Sequence, residues 1–210
     1  MGSEDFYATI GVHPCRATAP FSNGYNIDTY FEEIRSILKN YDHKEKFVAI
    51  GECGLDYDRF EYADKETQLK VFPRHFELTE EFNLPMYLHS RSTEGDFMRI
   101  ITENRSRFPG GVVHSFTGTA EELKAFVDLG LYIGVNGCSL KTEENCELVK
   151  QIPLDKIMIE TDCPYCDIRN SHAGSKYVKT KFAMEKKERY NPETDLDKLV
   201  KDRNEPCTIV

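Results

Sequence analysis

Residues 47–58 read FVAIGECGLDYD and join a strand to a polar side chain. The first four residues are apolar, which is typical of a strand buried inside a sheet. The run then reaches a carboxylate, Glu52, with Gly51 before it and Gly54 shortly after it. Glycine allows a second backbone to come close and lets the chain leave the strand. The stretch therefore predicts a core strand that carries Glu52 to a functional site.

The composition predicts one soluble globular domain over residues 1–210, because no shift in composition divides the chain. Hydrophobic residues make up 40% and charged residues 30% of the sequence, which is typical of soluble proteins. No apolar run is long enough to cross a bilayer, so no membrane partner is expected. The start, MGSEDFYATIG, has neither a basic region nor an apolar core, so we expect no signal peptide.

Cysteine content and net charge narrow the class of protein further. Seven scattered cysteines favour reduced thiols in an intracellular protein over a disulfide framework, so we expect the cytoplasm, the nucleus or both. A net charge of −9 and a pI near 5.2 argue against a passive, sequence-blind nucleic-acid coat. A nuclease stays open, because it needs only local positive charge, part of which a metal supplies.

Short apolar segments alternate with longer amphipathic segments along the chain. We predict six strands, at residues 7–12, 47–52, 85–89, 111–116, 131–135 and 157–161. We predict helices at residues 28–40, 64–82, 119–129 and 142–152, with Pro73 kinking or splitting the second. In the first helix, one face should carry Tyr30, Ile34, Ile37 and Leu38. This alternation predicts a parallel sheet with helices outside it.

Five of the six predicted strands end at a residue that can carry chemistry. These residues are His13, Glu52, His89, His114 and Asp162. In parallel α/β folds the carboxyl ends of the strands converge on one face, where active sites are built. A set of imidazoles and carboxylates without thiolate suits Mg²⁺, Mn²⁺ or Zn²⁺, as one ion or as two bridged by a carboxylate. The pattern therefore predicts a divalent metal site at the strand ends.

The remaining histidines and the CPYC segment do not follow this pattern. His43 lies in a charged loop, His75 in a predicted helix and His172 in an irregular segment. Residues 163–166 form a C-x-x-C sequence, but no second pair accompanies it and no helix begins after it. We therefore do not predict a zinc site or a redox site there.

Seven motifs follow one another along the chain: GVHP, FVAIGECGLD, LPMYLHSR, GGVVHSFTGT, LYIGVNGCSLK, IMIETDCPY and KDRNEP. In order and spacing they resemble the TatD family of metal-dependent deoxyribonucleases, and its eukaryotic members most closely. The resemblance covers almost the whole chain. It implies a TIM-type (β/α) barrel of the metallo-dependent hydrolase kind. It also implies metal-dependent hydrolysis of DNA, often with 3′-to-5′ exonuclease character.

The resemblance assigns roles to the residues at the strand ends. Matched residue by residue, the metal ligands are Glu52, His89, His114 and Asp162, and His13 lies beside the metal centre. Glu52, Asp162 and His13 are the expected catalytic residues, with Asp162 or Glu52 accepting the proton of the attacking water. The expected cofactor is Mg²⁺, with Mn²⁺ or Zn²⁺ as alternatives, in one or two copies.

Substrate contacts are predicted on two further segments. Arg91 matches the family arginine two positions after the strand-end histidine, and its guanidinium suits a phosphate oxygen. Residues 175–189 are rich in lysine, and Lys176 with Tyr177 is expected to contact the nucleic-acid backbone and a base. A solvated surface run is the alternative interpretation of this segment. The NEP sequence at 204–206 resembles family residues that support the site.

The number of strands departs from the family pattern. A complete barrel has eight strands, whereas we predict six, so the chain resembles a member without the N-terminal βα units and the C-terminal helical end. We expect an incomplete barrel of about six of eight strands. Its two open edges would favour self-association.

Three functions follow from these patterns. The first is a deoxyribonuclease that acts on DNA, with RNA also possible as a substrate. The second is a metallohydrolase of the same barrel type that acts on a small molecule, because barrels host many reactions. The third is a catalytically inactive, truncated product.

Overall fold

The structure is a computed structural model and describes residues 6–210. The strands in these residues are Ala8–Ile10 (β1), Phe47–Asp56 (β2), Met86–Arg91 (β3), Gly111–Val113 (β4), Tyr132–Val135 (β5), Ile157–Ile159 (β6), Ala183–Glu185 (β7) and Lys198–Val200 (β8). The α-helices are Ile27–Asn40 (α1), Lys65–Val71 (α2), Arg74–Phe82 (α3), Asp96–Asn104 (α4), Ala120–Asp128 (α5) and Glu143–Val149 (α6). All six predicted strands are confirmed, and β2 and β3 extend past their predicted ends.

The helix predictions are also confirmed, with one omission. The helix predicted at 64–82 is split at Pro73 into α2 and α3, because proline lacks an N–H and its ring clashes with the preceding turn. Helix α4 was not predicted, although Phe97, Ile100 and Ile101 recur at helical spacing and are buried.

The lysine-rich segment 175–189 contains a strand that we did not predict. It contains β7, which pairs in parallel with β8. Each of these strands has three residues, and Ala183 and Met184 are exposed. Strands of three residues are too short to show an alternation of apolar and polar residues, so the sequence gives no signal for them.

The described chain falls into two compact units. The first contains the described residues up to His114 together with Lys124–Tyr132, and the second contains Ser115–Leu123 and Ile133–Val210. In the first unit β1 pairs with β2, β2 with β3 and β3 with β4, all in parallel. In the second unit β5 pairs with β6 in parallel. The single domain over residues 1–210 stays a prediction.

Helix α1 packs on the core of the first unit through a narrower face than predicted. Phe31, Ile34 and Leu38 are buried, and their spacing of three and four residues places them on one side of the helix. Ile37 was predicted on this face, but it is 44% exposed. That prediction was wrong because one turn separates Ile34 from Leu38 and leaves Ile37 to the side.

His75 in α3 fixes the end of β1 from inside this core. The fully buried ring accepts a hydrogen bond at Nε2 from the Val12 amide at 2.9 Å. Its Nδ1 lies 3.0 Å from the Phe72 carbonyl oxygen, which requires the neutral tautomer with the proton on Nδ1. Burial lowers the pKa of His75 to about 4 and outweighs its backbone hydrogen bonds. The neutral ring therefore holds the residue that precedes His13.

The buried ring predicts a specific loss of stability in acid. The unfolded chain protonates His75 near pH 6.5, whereas the folded chain resists protonation down to about pH 4. The stabilisation from neutral His75 is complete above pH 6.5 and is lost as the pH falls towards 4, by roughly 3 kcal/mol. His75→Gln keeps an acceptor for Val12 but cannot titrate. Urea unfolding at several pH values should give a flatter pH dependence for the variant, and parallel curves would contradict this assignment.

The structure also bears on the predictions about the cysteines and about membrane-spanning segments. All seven cysteines are free thiols, as expected from their scattered positions. None of the helices in residues 6–210 is long and apolar enough to cross a membrane.

Candidate metal centre

A β-bulge in β2 presents Glu52. In the pairing with β3, Gly51 lies opposite Tyr87 and Cys53 lies opposite Leu88, so Glu52 is the extra residue. A bulge of this kind changes the direction of one side chain without ending the strand. The carboxylate in the middle of an apolar strand is therefore explained by local backbone geometry.

The two glycines around Glu52 allow the strands to approach at the bulge. Gly51 has φ +146° and Gly54 has φ +149°, values that residues with a side chain rarely adopt. A Cβ on Gly54 would lie 1.9 Å from the His89 carbonyl oxygen, and one on Gly51 would lie 2.2 Å from that of Tyr87. The close backbone approach predicted from the sequence is confirmed.

Three imidazoles converge on one oxygen of Glu52. From Glu52 Oε1, His89 Nδ1 lies 2.6 Å away, His114 Nε2 2.8 Å and His13 Nε2 3.4 Å. His13 follows β1, His89 lies in β3 and His114 follows β4. Four of the five predicted strand-end residues are therefore brought together in the first unit.

This arrangement holds Glu52 in its ionised form. Burial alone would raise the pKa of the carboxyl group. Hydrogen bonds from His114, His13 and His89 outweigh burial and hold the pKa far below its usual range. An ionised carboxylate surrounded by ring nitrogens is a ready ligand for a cation.

The hydrogen bonds around the rings orient them toward Glu52. His13 Nδ1 accepts a hydrogen bond from the Cys15 amide at 3.0 Å, which turns Nε2 toward the carboxylate. His114 Nδ1 lies 3.1 Å from the Tyr87 hydroxyl, and its Nε2 faces Glu52. Partners of this kind fix ring orientation in metal sites.

Asp56 is the site residue that sequence reasoning missed. Its Oδ2 lies 3.1 Å from His89 Nε2, on the side of the ring opposite Glu52. Burial would lower the pKa of His89, but hydrogen bonds to Asp56 and Glu52 outweigh burial and raise it. Both ring nitrogens therefore face carboxylate oxygens, and a metal ion that binds either nitrogen must displace the proton on it.

Asp56 is itself held rigidly at the end of β2. It is only 3% exposed, and its Oδ1 accepts a hydrogen bond from the Asp58 amide at 3.0 Å. The Gln68 side chain bonds both its amide and its carbonyl group at 2.8 Å. Acidic residues are rarely buried without a partner, but the sequence does not show that this aspartate is buried.

Replacing Asp56 tests its role in orienting His89. We expect Asp56→Asn to weaken Mn²⁺ binding by roughly 10–100-fold, the usual cost of losing a partner of a ligating histidine. Asp58→Asn is the matched control, because Asp58 is exposed and pairs with Arg91 instead. Calorimetric titration of the metal-free protein with Mn²⁺ measures both. Equal affinities for the two variants would remove Asp56 from the site.

The donor set fits a divalent metal. Ligand atoms of His13, Glu52 and His89 all lie within 4.8 Å of one another. The mixture of ring nitrogen and carboxylate oxygen is the chemistry of Mg²⁺, Mn²⁺ and Zn²⁺ sites. The cluster occupies the strand ends, where the sequence predicted it.

Asp162 belongs to the second unit, where it occupies a tight turn after β6. It has φ +53°, and its Oδ2 accepts a hydrogen bond from the Cys166 thiol at 3.2 Å. Asn204, in the NEP sequence, holds this turn in place. Its side-chain Nδ2 donates to the Thr161 carbonyl at 2.7 Å, and its backbone N–H donates to the Pro164 carbonyl at 3.0 Å.

The predicted substrate residues are exposed, and the two cations among them have ionic partners. Arg91 Nε donates to Asp58 Oδ2 at 2.8 Å, which lowers the pKa of Asp58. Lys176 Nζ lies 2.9 Å from Glu143 Oε1 and 5.3 Å from the centre of the Tyr177 ring. Exposed pairs of this kind are weak, so a phosphate can compete for these cations.

Comparison with known proteins identifies one family, and the two curated relatives reported below carry the name of that family. The family model described as TatD related DNase matches residues 2–207. "Deoxyribonuclease Tat-D" of Schizosaccharomyces pombe is 42% identical over 207 residues, which cover 97% of this chain and 65% of that protein. "3'-5' ssDNA/RNA exonuclease TatD" of Erwinia billingiae is 38% identical, over 76% of this chain and 58% of that protein.

Solved structures agree with this comparison. The crystal structure of a TatD family hydrolase from Entamoeba histolytica has a TM-score of 0.85 and 39% identity, and the match covers 97% of this chain and 64% of that one. An uncharacterized amidohydrolase from Saccharomyces cerevisiae has a TM-score of 0.80 and 31% identity, over 97% of this chain and 72% of that one. The predicted TIM-type barrel class is confirmed. The chain spans somewhat less than two thirds of the length of the first relatives it matches.

Proposed function

Because the chain belongs to the family of TatD-related DNases, we propose that it hydrolyses phosphodiester bonds of DNA with a divalent metal. The observation that supports this most is the convergence of three imidazoles on Glu52 Oε1 at the strand ends. RNA is a further candidate substrate, and cleavage from the 3′ end is the proposed direction. The free thiols support an intracellular location.

We propose that Glu52, His89, His114 and Asp162 hold the metal and that His13 lies beside it. Mg²⁺ is the preferred ion, with Mn²⁺ and Zn²⁺ as alternatives, in one or two copies. When bound, a divalent ion neutralises phosphate charge, lowers the pKa of bound water and stabilises the leaving alkoxide.

The residues of the chain have separate tasks in the proposed reaction. The strongly lowered pKa of Glu52 suits it to ligation. Asp162 is therefore the better acceptor for the proton that the attacking water loses. His13, whose side chain is 32% exposed, is placed to pass a proton to solvent. Arg91 grips a phosphate oxygen with its fork of donors.

Lys176 and Tyr177 are proposed to contact the rest of the strand. The ammonium group of Lys176 attracts backbone phosphate, and the Tyr177 ring, 59% exposed, offers a face for base stacking. Self-association through open sheet edges stays a separate proposal, and analytical ultracentrifugation tests it: a monomer at all concentrations would contradict it.

A small-molecule metallohydrolase is the second candidate function. The likeness to the uncharacterized amidohydrolase of Saccharomyces cerevisiae favours it, because one barrel site can serve different leaving groups. Turnover of a nitrophenyl ester without any cleavage of DNA would favour this candidate over the nuclease.

Digestion of end-labelled single-stranded DNA tests the proposed function. The purified chain is incubated with Mg²⁺, with Mn²⁺ or with a chelator, beside Glu52→Ala. We expect metal-dependent cleavage that the variant lacks. Absence of cleavage by a folded, metal-binding chain would contradict the proposal and favour an inactive product.

A further inference from the structure

A cavity in the second unit contains a pair of thiols that the proposed hydrolysis does not use. Its volume is about 150 Å³. Its lining residues are Cys138, Lys141, Cys166, Asp167, Arg169 and His172. Both cysteines are half-buried free thiols, so small molecules in solution can reach them.

Backbone contacts bring the two cysteines together. Gly137, next to Cys138, packs so closely that a Cβ on it would lie 2.0 Å from the Cys166 carbonyl oxygen. The Ala173 amide donates to the Lys141 carbonyl at 3.0 Å and holds the two segments together beyond the pair. The side chains of Cys138 and Cys166 line the same cavity. The pair is therefore preformed rather than created by a movement of the chain.

The surroundings of Cys138 favour its thiolate. The neighbouring Cys166 thiol and the adjacent Lys141 ammonium outweigh burial and lower the pKa of Cys138 to about 6. Thiolates are the nucleophilic form of cysteine, and basic neighbours are what activate them. A thiolate that is accessible and next to a second thiol is the arrangement of oxidation-sensitive cysteines.

We propose that Cys138 is an oxidative modification site for hydroperoxides and that Cys166 resolves it as a disulfide. The Cys138 thiolate attacks one peroxide oxygen, the O–O bond breaks, and Cys138 becomes a sulfenic acid as hydroxide leaves. The Cys166 sulfur then attacks the sulfenic sulfur, the S–O bond breaks and water leaves. Two thiols and one hydrogen peroxide give one disulfide and two waters.

The disulfide changes the turn that carries Asp162. In the reduced protein the Cys166 thiol donates a hydrogen bond to Asp162 Oδ2 at 3.2 Å. A disulfide has no S–H, so oxidation removes this donor from the carboxylate. The modification itself does not depend on the proposed nuclease function, whereas its effect on Asp162 as a metal ligand does.

Competitive labelling within one protein tests the reactivity of Cys138. At pH 6, limiting iodoacetamide is added to the reduced chain and each cysteine is quantified by mass spectrometry. A thiol with a pKa near 6 should react roughly tenfold faster than an ordinary thiol after allowance for its lower nucleophilicity. Cys163 and Cys207 are internal controls, because both are more exposed than Cys138. Lys141→Gln should move the pH profile of Cys138 labelling to higher pH.

Oxidation with stoichiometric hydrogen peroxide tests the pair. We expect a disulfide that links the peptides of Cys138 and Cys166. We expect Cys166→Ser to give a dimedone-trapped sulfenic acid on Cys138 instead. Faster labelling of Cys163 or Cys207 than of Cys138, or peroxide oxidation without this link, would overturn the proposal. Neither readout requires nuclease activity.

Discussion

Glu52→Gln is expected to weaken Mn²⁺ binding by at least about 100-fold and to remove metal-dependent cleavage. The substitution keeps the shape of the side chain and removes its charge. Loss of a residue that only orients a metal ligand typically weakens metal binding by roughly 10–100-fold. Glu52 Oε1, by contrast, is the atom on which three imidazoles converge. Removing the central carboxylate should therefore weaken Mn²⁺ binding more than removing a residue that only orients a ligand.

The same variant should change the titration of His89 in the absence of metal. Glu52 and Asp56 together raise the pKa of His89 above its usual value. Without the Glu52 charge that pKa should fall, and NMR titration of the ring measures the change. Glu61→Gln is the control, because Glu61 is exposed and pairs only loosely with Arg59 at 3.7 Å. Unchanged Mn²⁺ affinity in Glu52→Gln would contradict the site.

Gly54→Ala is expected to cost at least about 3 kcal/mol of the free energy of unfolding. The new Cβ would lie 1.9 Å from the His89 carbonyl oxygen, and a backbone atom cannot move aside as a flexible side chain can. The φ of +149° adds strain for any residue with a side chain. Overpacking of this kind typically costs 1–3 kcal/mol and strained backbone about as much again.

The control for this substitution is Gly110→Ala. A Cβ on Gly110 meets no atom within 4 Å, so the variant should keep nearly the stability of the parent. Urea unfolding of the three proteins gives the comparison. Equal midpoints for Gly54→Ala and Gly110→Ala would mean that β2 and β3 do not need the close approach at the bulge.

The sequence predicted the site well where strand ends carried isolated polar residues. His13, Glu52, His89 and His114 each follow or end an apolar run, and the structure brings these four together. Parallel strands make this possible, because their carboxyl ends meet at one edge. The bulge at Glu52 could not be read from the pattern, since only pairing with β3 shows which residue is extra.

The role of Asp56 could not be predicted from the pattern of strands in the sequence. It lies past the predicted end of β2, so we assigned it no role in the site. Its burial depends on Gln68, a residue of α2 whose side chain bonds the backbone amide and the backbone carbonyl of Asp56. Contacts between a strand and a distant helix leave no periodic signal in the sequence. Cys138 and Cys166 are likewise far apart in the sequence, so only the structure shows that they line one cavity.

The most direct test of the metal centre is an anomalous difference map from a crystal of this chain soaked in Mn²⁺. We expect a peak within bonding distance of Glu52 and of at least one of the three histidines. A map whose peaks lie only at exposed carboxylates, with none at Glu52, would contradict it.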